Sequence, residues 1–276
     1  MKQKKVILIT GASSGIGKKT AEKLIAAGHV VYGGARRVER MQDLEKLGGY
    51  PLHLDVSDDA SMKAAVDKVV VEQGGIDVLV NNAGFGLYGS VEDTDINDAR
   101  YQFEVNLFGL ARMTQLVTPH MRKRKSGKII NISSVAGKIY TPLGGWYHAT
   151  KHALEGLSDC LRFELKPFGI DVVIVEPGVI QTEFGDVLTS TLMKRSEGGA
   201  YEALARQIAD TTEEMYKNGV GSSPDLISGT IMKAIESKKP RTRYLVGKLA
   251  KPMLFLRNWL GDRIYDKALM AHLKSS

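Results

Sequence analysis

The stretch VILITGASSGIG, residues 6–17, decides the fold of this chain. Its four leading apolar residues predict a short buried strand, and the KKTAEKLIAAG that follows predicts a helix. Glycines at such a turn let the backbone approach a phosphate, and the helix N-terminus offers free N–H groups and the positive end of a dipole. Gly11, Gly15 and Gly17 are therefore a candidate pyrophosphate loop, although their GxxxGxG spacing differs from the GxGxxG fingerprint.

Two other interpretations fit the same loop. One is an ordinary glycine-rich turn that binds nothing. The other is the nucleophile elbow G-x-S-x-G, because GASSG at residues 11–15 matches it with Ser13 as the nucleophile. Only ten residues precede Gly11, which leaves no earlier strand to supply the second oxyanion-hole amide. The hydrolase interpretation is therefore the weakest of the three.

Short β-branched runs alternate with helical patterns along the chain. This alternation predicts right-handed crossovers and one α/β domain, with a doubly wound parallel sheet of about seven strands and helices on both faces. The predicted strands are 5–10, 29–33, 51–56, 76–81, 128–133, 171–176 and 244–247. The predicted helices are 16–27, 38–47, 58–73, 96–124 and 147–168.

Composition favours one large core and a reducing compartment. The chain has 276 residues, of which 43% are apolar, and a single cysteine, Cys160, which excludes an intramolecular disulfide. MKQKK runs directly into a strand-length segment, so the start does not resemble a signal peptide, and the longest apolar runs are too short to span a bilayer. We expect a cytoplasmic protein.

The net charge of +7 raises the question of nucleic-acid binding. The densest basic cluster, MRKRKSGK at residues 121–128, follows a long helical pattern and is expected to be a solvated helix end. No zinc-finger spacing or basic region with heptads accompanies it, so we expect no nucleic-acid partner. The six histidines form no metal-ligand motif, and no metal is expected.

A second group of residues has the chemistry of an acid/base site. Tyr147 and Lys151 stand four residues apart in YHATK, so one helical turn places them on the same face, where the cation can favour ionisation of the phenol. Ligands of a parallel sheet bind at the carboxyl ends of the strands. The segments at those ends are TGASSGIG, Asp55, NNAG (residues 81–84), Ser134 and PGVIQT (residues 177–182).

These motifs together resemble the short-chain dehydrogenase/reductase family. TGASSGIG, NNAG, Asn106, the set Ser134, Tyr147 and Lys151, and the Pro177-Gly178 pair occur in the order that this family shows. The resemblance is close over residues 5–182 and implies a Rossmann-type sheet, a nicotinamide cofactor and hydride transfer to or from a carbonyl carbon. Within the family the chain looks most like the hydroxysteroid and retinol dehydrogenase branch.

The resemblance also implies a role for each residue. Tyr147 would give or take the proton, and Ser134 would hold the substrate oxygen. Lys151 would lower the phenol pKa and bind the nicotinamide ribose, and Asn106 would hold a water linking Lys151 to solvent. Ser134 is preferred to its neighbour Ser133 because the family serine lies thirteen positions before the tyrosine. Each residue taken alone could equally be structural.

The cofactor is expected to be NADP(H). Ala35 stands where NAD-preferring relatives carry an acidic residue, and Arg36 next to it suits a 2′-phosphate, whereas Arg37 either helps or is solvated. Asp55 would receive the adenine amino group, or would simply be a helix N-terminal carboxylate near Ser57. The full predicted cofactor set is Gly11, Ser13, Ser14, Ile16, Arg36, Asp55, Asn82, Ala83, Gly84, Tyr147, Lys151, Pro177, Val179 and Thr182.

The C-terminal third is less informative. Residues 183–221 are predicted to be a partly helical insertion that closes over the substrate. A predicted apolar pocket, which suggests a hydrophobic ketone, aldehyde or alcohol as substrate, consists of Phe85, Leu87, Tyr88, Tyr140, Leu143, Trp146, Phe184 and Leu188. Residues 248–276 form a basic amphipathic tail, which we expect to pack on its own domain or a partner rather than on a membrane surface.

The sequence also predicts an oligomer and leaves two alternative functions open. The helix at 147–168 carries a leucine stripe and a second face of small residues, and it predicts a homo-dimer or homo-tetramer. A catalytically silent NADP-binding regulator is one alternative function. An enzyme that epimerises or dehydrates a nucleotide sugar is another, although the polar contacts and the longer C-terminal domain that it needs are missing.

Overall fold

A single parallel sheet forms the centre of the molecule. The computed structural model describes residues 4–181 and 183–274. Seven strands pair in the order β3-β2-β1-β4-β5-β6-β7, which confirms the predicted doubly wound sheet. The strands are β1 (Val6–Thr10), β2 (Val30–Ala35), β3 (Tyr50–His53), β4 (Val78–Asn81), β5 (Gly127–Ile132), β6 (Ile170–Pro177) and β7 (Arg243–Val246). The chain reverses its winding direction between β1 and β4, so their carboxyl ends flank the crevice where ligands of such sheets bind.

Ten helices cover the sheet and its carboxyl edge in the described part of the chain. They are α1 (Gly15–Ala26), α2 (Gln42–Lys46), α3 (Asp59–Gln73), α4 (Ile96–Phe103), α5 (Gly109–Arg124), α6 (Gly145–Leu165), α7 (Glu183–Ser196), α8 (Glu202–Lys217), α9 (Pro224–Glu236) and α10 (Ala250–Lys274). A π-helical turn, Glu104–Phe108, divides the predicted helix 96–124 into α4 and α5. Gly261, with φ of 73°, kinks α10.

The core lies on both faces of the sheet because alternate strand residues point to opposite sides. Ile7 and Ile9 of β1 pack on one face with residues of α1 and α9, whereas Leu8 packs on the other face with residues of α3 and α5. Burial on both faces explains why the central strands are continuously apolar rather than alternating. This double packing fixes the carboxyl edge on which the functional loops stand.

Some residues of the basic cluster at 121–128 bind other parts of the domain. The prediction of a solvated helix end is wrong for these residues. Lys128 Nζ donates hydrogen bonds to the carbonyl oxygens of Ala234 (3.1 Å) and Ile235 (2.8 Å) in the last turn of α9. Arg124 forms an ion pair with Asp77 at 3.5 Å. A cation at a helix C-terminus satisfies carbonyls that lack an intrahelical partner.

A pair of buried carboxylates lies between α6, β6 and β7. Glu155 and Glu176 are each 3% exposed. Arg243 Nε lies 3.1 Å from Glu155 Oε2 and 3.3 Å from Glu176 Oε1, and Lys138 Nζ lies 3.1 Å from Glu155 Oε2. Burial, followed by the charge of Glu155, raises the pKa of Glu176 to about 7 despite these two cations. Glu176 therefore holds a proton that an exposed glutamate would release.

This proton makes stability depend on pH. Between the ordinary glutamate pKa of 4.5 and about 7, the folded chain keeps a proton on Glu176 that the unfolded chain has lost. The free energy of unfolding should therefore fall as pH rises through this window, by up to about 3 kcal/mol. Glu176→Gln cannot ionise and should lose this part of the slope. Urea unfolding at several pH values between about 5 and 8 measures it.

The control for this measurement is Glu213→Gln, because Glu213 is an exposed glutamate of α8 that pairs with Lys217 on the same helix. This variant should keep the wild-type dependence on pH. If wild type and Glu176→Gln show the same slope between pH 5 and 8, Glu176 does not retain a proton in the folded chain.

Candidate active site

The glycine loop between β1 and α1 is closely packed. Gly11 and Gly15 have φ of +70° and +54°, in the left-handed region that favours glycine. A Cβ on Gly17 would lie 2.3 Å from the carbonyl oxygen of Gly11, so only glycine fits there. Ser14 stands at the N-cap of α1, and no side chain caps the helix. A glycine-lined concavity with uncapped N–H groups fits a pyrophosphate.

Asn82 and Thr10 join this loop to the end of β4. Thr10 Oγ1 accepts hydrogen bonds from the backbone N–H groups of Asn82 and Ala83, both at 3.0 Å. Asn82 Nδ2 donates to the carbonyl oxygens of Thr10 (3.0 Å) and Gly11 (3.1 Å). The side chain of Asn82 therefore holds the loop in place. Thr10 is a positioning residue that the sequence analysis missed, although a threonine at the end of a strand before a glycine loop is a visible signal.

Helix α6 brings Tyr147 and Lys151 together on one buried face. Lys151 Nζ lies 5.9 Å from the centroid of the Tyr147 ring and donates a hydrogen bond to the carbonyl oxygen of Ile132 at 2.9 Å. Ser134 begins a 3₁₀ turn after β5, where its Oγ accepts from the N–H of Ala136 at 3.0 Å. Ser134 is also hydrogen-bonded to Tyr147. The structure thus brings the three predicted residues into one cluster.

Burial dominates the protonation of this cluster. It lowers the pKa of Lys151 to about 8, against a smaller raising effect of Glu155. Burial, followed by the neighbouring Tyr88, raises the pKa of Tyr147 above its usual 10, and the hydrogen bond with Ser134 opposes this only partly. The net pKa of Tyr147 is thus raised in the protein alone, and the lowering effect of Lys151 stays a prediction. The ammonium is bonded to a carbonyl, and the phenol has lost its solvation.

Asn106 connects the loop after β4 to α6. It lies in the π-helical turn, and such turns are frequent at functional sites. Its Oδ1 accepts from the N–H of Phe85 at 3.0 Å, and its Nδ2 donates to Phe85 O at 2.9 Å and to Thr150 Oγ1 at 3.2 Å. A Cβ on Gly84 would lie 3.1 Å from Asn106 Oδ1 and 3.9 Å from Lys151 Nζ. Asn106 therefore positions the loop beside Lys151, and its role toward a water stays a prediction.

Tyr88 packs beside Tyr147. The two ring centroids are 5.9 Å apart. Thr141 is hydrogen-bonded to Tyr88, and its Oγ1 lies 2.9 Å from His148 Nε2. Nδ1 of His148 is in turn 2.9 Å from the carbonyl oxygen of Ala136. Thr141 and His148 were missed by the sequence analysis, because their link to Tyr88 depends on the path of the loop between β5 and α6.

Part of the predicted apolar pocket is found beside Tyr147. Tyr88 and Leu143 pack with Leu192 of α7 and Ala205 of α8, and closure of residues 183–221 over a substrate stays a prediction. A cavity of about 500 Å³ opens nearby. Its lining is Ser90, Val91, Glu92, Thr141, Leu143, Gly145 and Tyr201. Leu87 and Leu188 are buried.

Three predicted pocket residues have other partners. Phe85 lies against Tyr101, and Trp146 against Phe103 at 6.4 Å between ring centroids, so both face α4. Tyr140 packs edge-on against Tyr265 of α10 at 5.0 Å. The assignment of these three aromatics to a substrate pocket stays a prediction. The side chain of Phe184 lies outside the described residues.

The predicted cofactor residues Arg36 and Asp55 lie near each other at the ends of β2 and β3. Arg36 is exposed, and its Nη1 donates to Tyr101 Oη at 2.8 Å, while Ala35 is buried. Asp55 Oδ1 accepts from the N–H (2.9 Å) and the hydroxyl (2.7 Å) of Ser57. Although burial opposes it, these bonds and the charge of Arg36 lower the pKa of Asp55. The turn with Ser57 is thus formed, and a contact with adenine stays a prediction.

The last predicted cofactor residues lie beyond β6. Pro177 O accepts a hydrogen bond from Ser134 Oγ at 3.5 Å, which brings this strand end to the catalytic cluster. Val179 pairs with Lys248 in an isolated antiparallel bridge. Thr182 lies outside the described residues. Ser13 and Ser14 stand in the loop between β1 and α1, and Ile16 stands in the first turn of α1.

Comparison with known proteins places this arrangement in a family. The short chain dehydrogenase profile matches residues 5–192. The 3-ketodihydrosphingosine reductase of Bacteroides thetaiotaomicron is 38% identical over 270 residues, which cover 97% of each chain. The NADPH-dependent 3-dehydrocapnine reductase of Ornithobacterium rhinotracheale is 34% identical over 285 residues, covering 97% of this chain and 96% of the relative.

A solved structure supports the same conclusion. A short-chain dehydrogenase from Streptomyces avermitilis is 34% identical, covers 100% of this chain and 96% of its own, and superimposes with a TM-score of 0.80. The profile spans most of the chain, and the likeness in sequence and in fold extends over its whole length. The chain is therefore an enzyme of the short-chain dehydrogenase/reductase family, an oxidoreductase that uses a nicotinamide cofactor.

Proposed function

We propose that this enzyme uses NADPH to reduce a ketone that carries a long alkyl chain to the corresponding alcohol. The observation that carries the proposal is the buried Tyr147 hydrogen-bonded to Ser134. Because burial raises the pKa of the phenol, Tyr147 keeps its proton at neutral pH and can donate it. A protonated phenol beside the substrate oxygen is the form of Tyr147 that a reduction needs.

The residues of the chain divide the remaining work. When bound, the nicotinamide supplies the hydride. Ser134 orients the substrate oxygen beside Tyr147, which gives that oxygen its proton. Lys151, with a pKa of about 8, can exchange a proton close to neutral pH and can replenish the phenol. The glycine loop and the uncapped start of α1 would hold the pyrophosphate.

Two features support a long apolar substrate. Tyr88 and Leu143 continue from Tyr147 into the apolar cluster formed with α7 and α8. Two relatives that match almost the whole chain are named as reductases of 3-ketodihydrosphingosine and of 3-dehydrocapnine. A panel of long-chain ketones, together with steroid and retinoid carbonyls as comparison, measured by nicotinamide absorbance, tests the substrate class. Binding of NADPH without turnover of any ketone would favour the silent regulator instead.

Tyr147→Phe keeps the ring and removes the proton. We expect turnover to fall by about 10²-fold or more while NADPH binding, followed by cofactor fluorescence, survives. Tyr50→Phe is a matched control, since Tyr50 lies on the edge strand β3 and stacks on Tyr32. Turnover of Tyr147→Phe at the wild-type rate would contradict the assignment of the proton donor.

Preference for NADP(H) should depend on the end of β2. Ala35 offers no carboxylate to bind ribose hydroxyls or repel a 2′-phosphate, and the exposed Arg36 offers a planar donor fork. Such a contact is worth about 1.5–3 kcal/mol, or roughly a tenfold to hundredfold preference. Ala35→Asp combined with Arg36→Ile should move the ratio of kcat/KM values toward NAD(H), and Arg37→Ile alone should change it less.

The outcome that rejects this cofactor proposal is specific. A wild-type ratio that favours NAD(H), or a ratio that the double change leaves unaltered, would show that Arg36 does not contact the cofactor. Tyr147 chemistry should be unaffected in either case, so kcat with the preferred cofactor reports whether the double variant is intact.

We also propose a homo-dimer or homo-tetramer that uses the outer face of α6. Ala149, Gly156 and Cys160 are exposed there, and Phe163 is 68% exposed. A Cβ on Gly156 would meet no atom within 4 Å, so the monomer itself tolerates a side chain at this position. Gly156→Trp should lower the mass in light scattering at micromolar concentration, whereas Val71→Trp on α3 should not. A monomeric wild type would contradict the proposal.

A further inference from the structure

One side of α10 exposes large apolar side chains to solvent. Phe255 and Trp259 are 60% and 76% exposed, and their rings stack at 6.2 Å between centroids. Leu260, just before the kink at Gly261, and Ile264, beyond it, are also exposed, by 43% and 50%. We call the stacked pair of Phe255 and Trp259 the aromatic face of α10. Scattered exposed hydrophobic residues are normal, but a stacked, solvent-exposed pair that includes a tryptophan indicates an interaction surface.

The opposite side of α10 holds the helix firmly on the domain. Met253 and Leu256 pack in a cluster with Ala250 and Tyr265, and Leu273 packs with residues of α7 and α8. Tyr265 Oη donates to Tyr140 O at 2.9 Å, and Tyr140 Oη donates to Asp266 at 2.8 Å. The tail therefore packs on its own domain as predicted, but only through the residues of this inner side. The aromatic face therefore belongs to an anchored helix.

Unpaired cations surround the aromatic face. Lys251, Arg263 and Lys267 are exposed, and among the side chains that the structure describes none of them has an ion-pair or hydrogen-bond partner. Asp262 pairs with Arg257, and Asp266 keeps its negative charge because it accepts a hydrogen bond from the neutral phenol of Tyr140. Three cations against this one carboxylate leave a net positive charge beside the stacked aromatic rings.

We propose that the aromatic face of α10 docks on an anionic phospholipid surface, with the helix lying in the plane of the interface. Aromatic rings are favoured at the boundary between headgroups and acyl chains, and lysine and arginine side chains reach the lipid phosphates. Each cation near an anionic leaflet adds attraction. Among the described residues no helix is both long and apolar enough to cross a bilayer, so the contact is peripheral.

A second copy of the chain fits this face less well. An isologous contact brings the same patch of two molecules together, so the three cations of one copy would approach those of the other with Asp266 as the one acidic counterpart. An anionic bilayer offers the opposite charge. This inference concerns a surface outside the catalytic cluster, and it does not depend on the proposed substrate.

Vesicle flotation with the full-length enzyme tests the proposal. We expect the enzyme to float with vesicles of equimolar phosphatidylcholine and phosphatidylglycerol but not with phosphatidylcholine alone, and to dissociate in high salt. Phe255→Ser combined with Trp259→Ser should lower the apparent partition coefficient at least tenfold, a roughly estimated loss of apolar contact. Replacing Lys251, Arg263 and Lys267 by Gln should lower it by about 10²-fold. Leu47→Ser combined with Val71→Ser, which removes exposed apolar side chains elsewhere, should leave it unchanged.

A fluorescence measurement avoids the risk that the surface variants misfold. The chain has two tryptophans, and Trp146→Phe leaves Trp259 as the single emitter. Its emission should shift to the blue on anionic vesicles and be quenched by brominated lipids. Failure of the wild type to bind, equal binding by the Phe255/Trp259 variant, or an unshifted Trp259 spectrum would overturn the proposal. A larger oligomer that is lost in the Phe255/Trp259 variant, without vesicle binding, would assign the face to a second copy.

Discussion

The close contact between the start of α1 and the loop after β1 sets the position of almost everything else in this enzyme. Gly17 leaves no room for a Cβ against Gly11, so α1 begins as near to the sheet as a backbone can come. The amide of Asn82 fills the remaining space and ties β4 to the same loop. The crevice between β1 and β4 therefore has one fixed shape, and the helix N-terminus points into it. Van der Waals exclusion, rather than any single strong bond, maintains this geometry.

A chain of contacts connects that crevice to the catalytic cluster. Gly84, two residues after Asn82, stands against Asn106, and Asn106 holds both Phe85 and Thr150 of α6. Because Tyr147 and Lys151 lie on the same helix as Thr150, their distance from the cofactor crevice is fixed by hydrogen bonds and not by loop flexibility. Burial then moves the pKa of Tyr147 upward and that of Lys151 downward, which leaves a protonated acid next to a base that titrates near pH 8.

The sequence predicted the elements whose signal is local. The seven strands follow from continuous apolar runs, and the pairing of Tyr147 with Lys151 follows from a spacing of four on a helix. The π-helical turn at Asn106 could not be predicted, because the apolar pattern of residues 96–124 continues through it. The Glu155–Glu176 pair and the contacts of Lys128 with α9 join distant parts of the chain. Charged residues in a sequence are read as exposed, and only the fold shows which ones are buried.

The burial of the C-terminal tail could also not be predicted from its sequence. An amphipathic pattern of leucines, aromatics and cations indicates that a helix has an apolar side, but it does not indicate how wide that side is. In α10 the apolar residues exceed what one contact can cover, and the kink at Gly261 turns Tyr265 inward while Ile264 stays outside. The inner residue Leu273 packs with Leu192 of α7 and Ala205 of α8. On the outer side, Phe255 and Trp259 stack on each other and remain exposed. These side chains would gain free energy on transfer from water to apolar surroundings, and packing within the domain does not provide that transfer. Contact with a second apolar phase would provide it.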